Sequence, residues 1–224
     1  MDFTGCHFDE AVILTCVRWY LRFTLSYRDL EEIMEERGVD VDHSTVNRWV
    51  LKYTPLLETE ARRRKKPVGV SWRLDETYIK VKGQWRYLYR AVDKEGDTID
   101  FLLTAKRDTR AALRFLKKAI RGNGTPEKIN IDKSGANTSG IAAFNLETGS
   151  NIECRQCKYL NNIVEQDHRP VKRKMRAMMG FKSFRSASKT IAGIELAHMI
   201  RKGQVRAEND EMMTPAETFY SLAA

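Results

Sequence analysis

The chain has 224 residues, 42% hydrophobic and 31% charged, which is enough apolar sequence for a folded core and excludes a disordered chain. Its net charge of +9 favours a polyanionic partner such as nucleic acid, although basic proteins without such a partner are common. No apolar run approaches the roughly 18 residues of a membrane span, and the acidic start Met1-Asp2 is unlike a signal peptide, which indicates a cytoplasmic protein without a membrane partner.

Three helices are predicted at the start of the chain. Apolar residues recur at intervals of three and four over residues 13–21, which indicates the buried stripe of a helix. Ser26 and Asp29 have the spacing of a capping box at the start of a second helix. Asp42 is expected to cap a third helix, and Pro55 is expected to end it because proline lacks the N–H group of a continuing helix.

The second and third helices favour a helix-turn-helix, because they are joined around Gly38 and the third has a polar outer face. In that geometry the outer residues of the third helix reach the edges of bases, and Asn47 or Arg48 can read a purine through paired hydrogen bonds. An ordinary three-helix bundle without a DNA role is the alternative. The DNA contacts predicted on this helix are Thr45, Asn47, Arg48 and Lys52.

Charge is distributed unevenly along the chain. Residues 1–55 contain six Lys and Arg against ten Asp and Glu, so this segment cannot bind DNA by bulk charge. Two basic runs follow it, over residues 61–66 and 168–189, and they favour contact with phosphates on either side of one domain, although each run could be a solvated surface. The DNA contacts predicted in the first run are Arg62, Arg63 and Arg64.

The middle of the chain has the pattern of a mixed sheet. Strands are predicted over residues 72–81, 85–92 and 98–105 as an antiparallel meander, and Asp108 can cap the helix that follows. The later elements are predicted as a strand over 128–132, a helix over 140–146, a strand near Ile152 and a helix over 161–172. This order of elements predicts an α/β fold with a mixed five-stranded sheet covered by helices on both faces.

An Asp-Glu pair interrupts the first strand, in the stretch WRLDETYIKVKGQW. Neighbouring strand residues point to opposite faces, so at least one of Asp75 and Glu76 needs a partner in a covered sheet; we expect Glu76 to face solvent or to support the site without being a ligand. Asp132 ends the fourth strand, which adjoins the first if the crossover is right-handed. Two such carboxylates repel each other unless a cation lies between them, and Mg²⁺ prefers carboxylate oxygens.

A third ligand is expected from the helix over residues 161–172. Glu165 and Lys172 lie at helical spacing on one face, so a carboxylate for the metal and a cation for phosphate can point the same way. Pro170 is expected to kink this helix. Cys154 and Cys157 are interpreted as reduced cysteines, because a second cysteine or histidine pair at zinc-ligand spacing is missing.

Several blocks of this sequence resemble bacterial DDE transposases of the insertion-sequence six family, whose ribonuclease H-like core is similar to retroviral integrases. The blocks occur in order along nearly the whole chain. They are SYRDLEEIMEERGVDVDHSTVNRWV, WRLDETYIKVKGQWRYLYRAVDKEGDTIDFLL, NIDKS, YLNNIVEQDHRPVKRK and GFKSFRSASKTIAGIELAHMIRKGQ.

The resemblance implies that Asp75, Asp132 and Glu165 form a catalytic triad that binds Mg²⁺, with Mn²⁺ as a substitute, and that Lys172 contacts DNA near it. It also implies two-metal strand cleavage and transfer, acting on terminal inverted repeats and target DNA in the nucleoid. Pairing two DNA ends implies a homodimer or higher oligomer. The helix near residues 191–200 is either its interface or a core helix.

The predicted domains are a helix-turn-helix over 1–58, a basic linker over 59–70, a ribonuclease H-like catalytic core over 71–204 and a C-terminal tail over 205–224. Two other functions stay open at this point. A helix-turn-helix repressor would have an inert core, and its activity would survive the loss of Asp75. A metal-dependent nuclease of the same fold would cut DNA without joining it.

Overall fold

The computed structural model describes residues 1–206 and 213–224, without the side chain of Lys158. Within these residues the chain forms two compact units, one of residues 1–66 and 173–224 and the other of residues 67–172. These boundaries differ from those of the predicted domains, and the predicted tail lies partly outside the described residues. No helix in the described ranges is both long and apolar enough to cross a membrane.

The described elements are eight α-helices, five strands and a 3₁₀ helix at Lys158–Asn161. The helices are α1 (Glu10–Arg22), α2 (Tyr27–Glu35), α3 (His43–Arg63), α4 (Thr109–Asn123), α5 (Gly135–Thr148), α6 (Asn162–Ala177), α7 (Phe184–Arg201) and α8 (Pro215–Ser221). The strands are β1 (Ser71–Val81), β2 (Gln84–Asp93), β3 (Thr98–Thr104), β4 (Lys128–Ile131) and β5 (Glu153–Gln156).

The start of the first unit forms as predicted. The apolar stripe of α1 is buried, and Ser26 and Asp29 make both bonds of a capping box on α2. The Asp42 carboxylate accepts from the backbone N–H groups of Ser44 and Thr45 and so caps α3. These elements depend on neighbours within one turn, which is why the sequence pattern alone predicts them.

The prediction that Pro55 ends the third helix was wrong, because α3 continues through Pro55 to Arg63. Proline at this position deprives the carbonyl of Leu51, four residues earlier, of its helical N–H donor. The Lys189 ammonium group on α7 donates to that carbonyl at 2.9 Å instead. The first five of the twelve residues of the predicted linker are therefore helical, and a tertiary contact replaces the hydrogen bond that proline removes.

Helix α7 is a core helix of the first unit. Its residues 190–200 are all buried, and it packs against α1 and α3. Gly193 makes the closest approach, since a Cβ atom there would lie 2.5 Å from a methyl group of Leu21. Of the two interpretations of this segment, the structure therefore favours the core helix.

The second unit contains the predicted five-stranded mixed sheet, in the order β3-β2-β1-β4-β5. The first three strands form an antiparallel meander, while β4 pairs in parallel with β1 and β5. Helices α4 and α5 pack on the face that carries Trp72 and Leu74. This is the ribonuclease H-like arrangement, and it confirms the predicted fold class.

Candidate functional site

The sheet topology brings two of the predicted acids together. β1 and β4 run in parallel, with Arg73 opposite Asn130, so Asp75 lies just beyond the paired segment and Asp132 follows the end of β4 at the same edge. Ligand oxygens of Asp75, Glu76 and Asp132 all lie within 4.8 Å of one another, and we call these three residues the carboxylate cluster. It is the sole group of three or more potential metal-binding side chains found among the described residues.

Glu76 does not face solvent, which was one of the two alternatives expected for it. Its side chain is 3% exposed, against 19% for Asp75 and 41% for Asp132. The period of two along β1 explains this, because Glu76 continues the core-facing row of Trp72 and Leu74. The two neighbours point to opposite faces, and Asp132 at the end of β4 lies within reach of both.

Burial and repulsion make the ionised cluster costly in the absence of a cation. Burial, helped by the charges of Glu76 and Asp132, raises the pKa of Asp75 to about 6 against the lowering effect of a backbone N–H and Lys172. Burial also raises the pKa of Glu76, although the Arg107 guanidinium opposes the shift. A divalent cation would remove this repulsion.

Several polar atoms around the cluster are buried without a hydrogen-bond partner in the described part of the protein. They are Oδ1 of Asp132, both side-chain amide atoms of Asn137, the Tyr89 hydroxyl and both ring nitrogens of His168. Buried polar atoms are normally bonded, so a concentration of unsatisfied ones marks a place for a ligand, ion or water. The donor set of carboxylate oxygens fits a hard divalent cation such as Mg²⁺.

Glu165 is exposed in the first turn of α6 and is not one of the three clustered side chains. His168, one turn further, is fully buried and places its Nδ1 atom 3.7 Å from Oδ2 of Asp75. Burial lowers the pKa of His168, so its ring is neutral at pH 7. The helix face that carries Glu165 therefore adjoins the carboxylate cluster, and the ligand role of Glu165 remains a prediction.

A buried ion pair fixes this helix to the sheet. Arg90 faces Asp75 across the β1–β2 ladder and donates to the Asp167 carboxylate at 2.7 Å, with Arg90 fully buried. Sequence reasoning missed this pair, since β2 and α6 are far apart along the chain. The helix also continues through Pro170, and Lys172 lies close enough to lower the pKa of Asp75.

Arg107 is a further residue of the site that the sequence reasoning missed. It follows β3 and pairs with Glu76 at 3.3 Å, while its guanidinium lies 3.8 Å from Asp132. The strand directions could have located it. Because β1, β3 and β4 run in the same direction, the residues that follow β3 and β4 lie at the same end of the sheet.

The predicted DNA contacts on α3 divide into two pairs. Arg48 and Lys52 are exposed, as expected for residues that reach a groove. Thr45 is half-buried and donates to the capping carboxylate of Asp42. Asn47 is half-buried along a cavity of about 730 Å³ in the first unit. The exposed pair is thus better placed to meet DNA.

The three arginines at the end of α3 pair with acids on their own helix. Arg62 contacts Glu58 at 2.8 Å, while Arg63 and Arg64 contact Glu60 at 3.2 and 2.8 Å. Charges at this spacing support the helix. The basic run is therefore partly neutralised. Arg63 is the exposed arginine of the three, and an exposed pair is weak enough for a phosphate to replace one partner.

The cysteines are free thiols, and Cys154 and Cys157 belong to no group of potential metal ligands in the described part of the chain. Burial raises the pKa of Cys154, which keeps this thiol protonated. Both cysteines are partly buried free thiols.

Comparison with protein families matches residues 69–204 to a DDE domain of transposases. Two curated relatives come from Staphylococcus aureus. The transposase for the insertion sequence-like element IS431mec of strain Mu50 is 44% identical, and the transposase for insertion sequence element IS257 in transposon Tn4003 is 43% identical. Each comparison covers 89% of this chain and 88% of the relative.

Among solved structures, the trimeric form of the HTLV-2 integrase catalytic core domain in complex with magnesium is 18% identical to this chain, with a TM-score of 0.47. The superposition covers 70% of this chain and 99% of that domain. The family assignment depends on the sequence relatives and not on this distant likeness.

Proposed function

The chain belongs to the DDE transposases of the insertion-sequence six family, and we propose that it binds the terminal inverted repeats of an insertion sequence and joins them to target DNA with the help of Mg²⁺. The observation that carries this proposal is the carboxylate cluster on adjacent parallel strands. A repressor would gain nothing from three converging carboxylates that repel one another.

Asp75 and Asp132 would hold the divalent cations, with Glu165 supplying a further carboxylate from α6. Such ions, when bound, lower the pKa of an attacking water or DNA 3′-hydroxyl and stabilise the leaving oxygen. Mn²⁺ is expected to substitute for Mg²⁺, because it accepts the same oxygen ligands. Asp75 must be ionised to bind a cation, and its pKa of about 6 allows this at neutral pH.

The basic residues would position the DNA. Lys172, close to the cluster, suits a phosphate next to the reacting one, and Arg48 and Lys52 suit the groove of the terminal repeat. Thr45, Asn47, Arg62, Arg63 and Arg64 would then contribute after releasing their present partners. A homodimer or higher oligomer would hold the two transposon ends together.

A strand-transfer assay tests the proposal. The protein is incubated with Mg²⁺, a duplex that carries the terminal repeat and a supercoiled target plasmid. Joined products in the wild type, absent from Asp75→Asn, are the expected result. Cleaved but unjoined DNA would indicate a nuclease, and DNA binding without any cleavage by the wild type, unchanged in Asp75→Asn, would indicate a repressor.

A further inference from the structure

The positively charged guanidinium of Arg107 lies next to the carboxylate cluster. Its Nε and Nη2 atoms lie 3.3 and 3.4 Å from the two carboxylate oxygens of Glu76. The same Nη2 atom lies 3.8 Å from Oδ2 of Asp132. One planar guanidinium thus faces both carboxylates in a forked geometry, which is the arrangement by which arginine also recognises phosphate.

Arg107 is placed to change partners. Its side chain is 34% exposed while Glu76 is nearly buried, so the guanidinium stands between the closed interior and the surface. It also competes with any divalent cation, because both positive charges use Asp132. A group that draws Arg107 outward would therefore leave the cluster more negative and raise its affinity for metal.

DNA phosphate is the group whose chemistry fits. A phosphodiester offers two non-bridging oxygens to a guanidinium, much as a carboxylate offers its two oxygens, and lies beside the metal centre in any reaction on the DNA backbone. We propose that Arg107 is a further DNA-binding residue of this centre, which pairs with Glu76 and Asp132 in the DNA-free protein and with a backbone phosphate in the complex. This inference rests on the proposed function, since it presumes that metal and DNA meet at the cluster.

The exchange of partners couples the two ligands. If DNA removes Arg107 from Asp132, DNA tightens metal binding, and metal tightens DNA binding by the same factor. A purely structural Arg107 that only neutralises Glu76 would add nothing to this coupling, which would then come only from direct contact between the metal and the DNA. The two roles therefore differ in a binding measurement that does not involve strand transfer.

Titration of Mn²⁺ followed by electron paramagnetic resonance, with and without a terminal-repeat duplex, measures the coupling. In the wild type we expect DNA to tighten Mn²⁺ binding about fivefold. In Arg107→Gln we expect Mn²⁺ to bind about fivefold more tightly without DNA, and DNA to tighten that binding by less than it does in the wild type.

Two further variants make the comparison specific. Arg110→Gln removes the same charge from an exposed position in the first turn of α4 and should behave as the wild type. Arg107→Lys retains the competing charge but loses the forked geometry, so its DNA-free Mn²⁺ affinity should stay near that of the wild type, with weaker coupling. Circular dichroism verifies that each variant is folded.

The outcomes separate this inference from the proposed function. Unchanged Mn²⁺ affinity in a folded Arg107→Gln, together with undiminished tightening by DNA, would overturn the role of Arg107 and leave the metal centre intact. If Arg107→Gln does not fold, Arg107→Lys decides. Tightening of Mn²⁺ binding by DNA to the full wild-type extent in Arg107→Lys, which lacks the forked geometry, would overturn the role of Arg107. Failure of the wild type to bind Mn²⁺ at all would remove the metal centre itself, and the inference with it.

Discussion

The two units of this chain treat their polar groups differently. In the first unit, cations inside the fold donate to backbone carbonyls: the Lys174 ammonium lies 3.2 Å from the carbonyl of Leu25, and that of Lys189 lies 2.9 Å from the carbonyl of Leu51. In the second unit, buried atoms of Asp132, Asn137 and His168 have no hydrogen bond within the described residues.

This difference shows which unit keeps buried polar atoms without hydrogen bonds and so leaves room for a ligand. A fold whose only task is to be stable satisfies its buried polar atoms, whereas a site that awaits an ion or a substrate keeps some of them unsatisfied. Several of the unsatisfied atoms of the second unit lie around the acids of β1 and β4, where burial and like charge make ionisation costly, whereas the described part of the first unit has one such atom, the Thr54 hydroxyl.

The largest effect is expected from neutralising the cluster. Asp75→Asn or Asp132→Asn should reduce strand transfer by at least about a thousandfold, because a carboxamide cannot replace the charge that holds a divalent cation. Glu165→Gln should cause a similar loss if Glu165 completes the metal site. Quantified joined products in the assay described above measure all three variants.

The control for this series is Glu153→Gln, which alters an exposed acid paired with Arg155 on β5. Near wild-type activity of Glu165→Gln would remove Glu165 from the metal site and leave Glu76 as the third carboxylate.

The buried ion pair of the second unit gives the next largest effect. Asp167→Asn leaves the charge of Arg90 in a fully buried position without its carboxylate, and the free energy of unfolding should fall by about 3 kcal/mol. Denaturant unfolding measures this change. The exposed pair of Lys94 and Glu95 is the matched control, and Glu95→Gln should cost less than about 0.5 kcal/mol. Equal losses of unfolding free energy in both variants would show that burial does not make the pair of Arg90 and Asp167 more important for stability than an exposed pair.

The raised pKa of Asp75 predicts that the charge needed for metal binding lowers the stability of the metal-free protein. Its folded-state pKa of about 6 exceeds the unfolded value of 3.8, so the folded state binds the proton more tightly. The stability that this proton provides is complete below the unfolded pKa and is lost as the pH rises through about 6. Metal-free Asp75→Asn should therefore match the wild type below about pH 3.8 and exceed it by about 3 kcal/mol at pH 7.

Thermal unfolding of both proteins over this pH range in the presence of a chelator measures the difference. Saturating Mn²⁺ should reverse the order at pH 7, because it binds the wild type and not the variant. A wild type that is already the more stable protein at pH 7 without metal would show that the cluster carries no repulsion.

The sequence predicted those parts of the fold that depend on near neighbours or on chain direction. Caps and apolar stripes placed α1 and α2, and the right-handed crossover rule correctly brought Asp75 next to Asp132. It also contained the position of Glu76, which shares the strand face of Leu74, but the prediction left open whether Glu76 faces solvent or supports the site.

The remaining errors and omissions come from contacts between distant parts of the chain. Pro55 has the local signature of a helix end, and only Lys189, on another helix, supplies the donor that lets α3 continue. In the same way the pairing of Arg90 with Asp167 joins a strand to a later helix. Such partners leave no periodic pattern, and three-dimensional placement is needed to find them.

The smallest effect tests the self-sufficiency of the first unit. Lys189→Met removes the donor to the carbonyl of Leu51 and should lower the free energy of unfolding by about 1 kcal/mol. Pro55→Ala restores a backbone N–H in the position to donate to that carbonyl, so the cost of Lys189→Met should shrink in its background. Lys182→Met, at an exposed position, should be close to neutral.

A double-mutant cycle from urea unfolding gives the coupling between the two sites. Coupling of about 0.5 kcal/mol or more would show that one unsatisfied carbonyl links residues 55 and 189. Additive effects would mean that the Lys189 ammonium does not take the place of the N–H group that proline removes. In that case the first unit would tolerate an unsatisfied carbonyl as the second tolerates its unsatisfied side chains, and the contrast between the units would lose its physical basis.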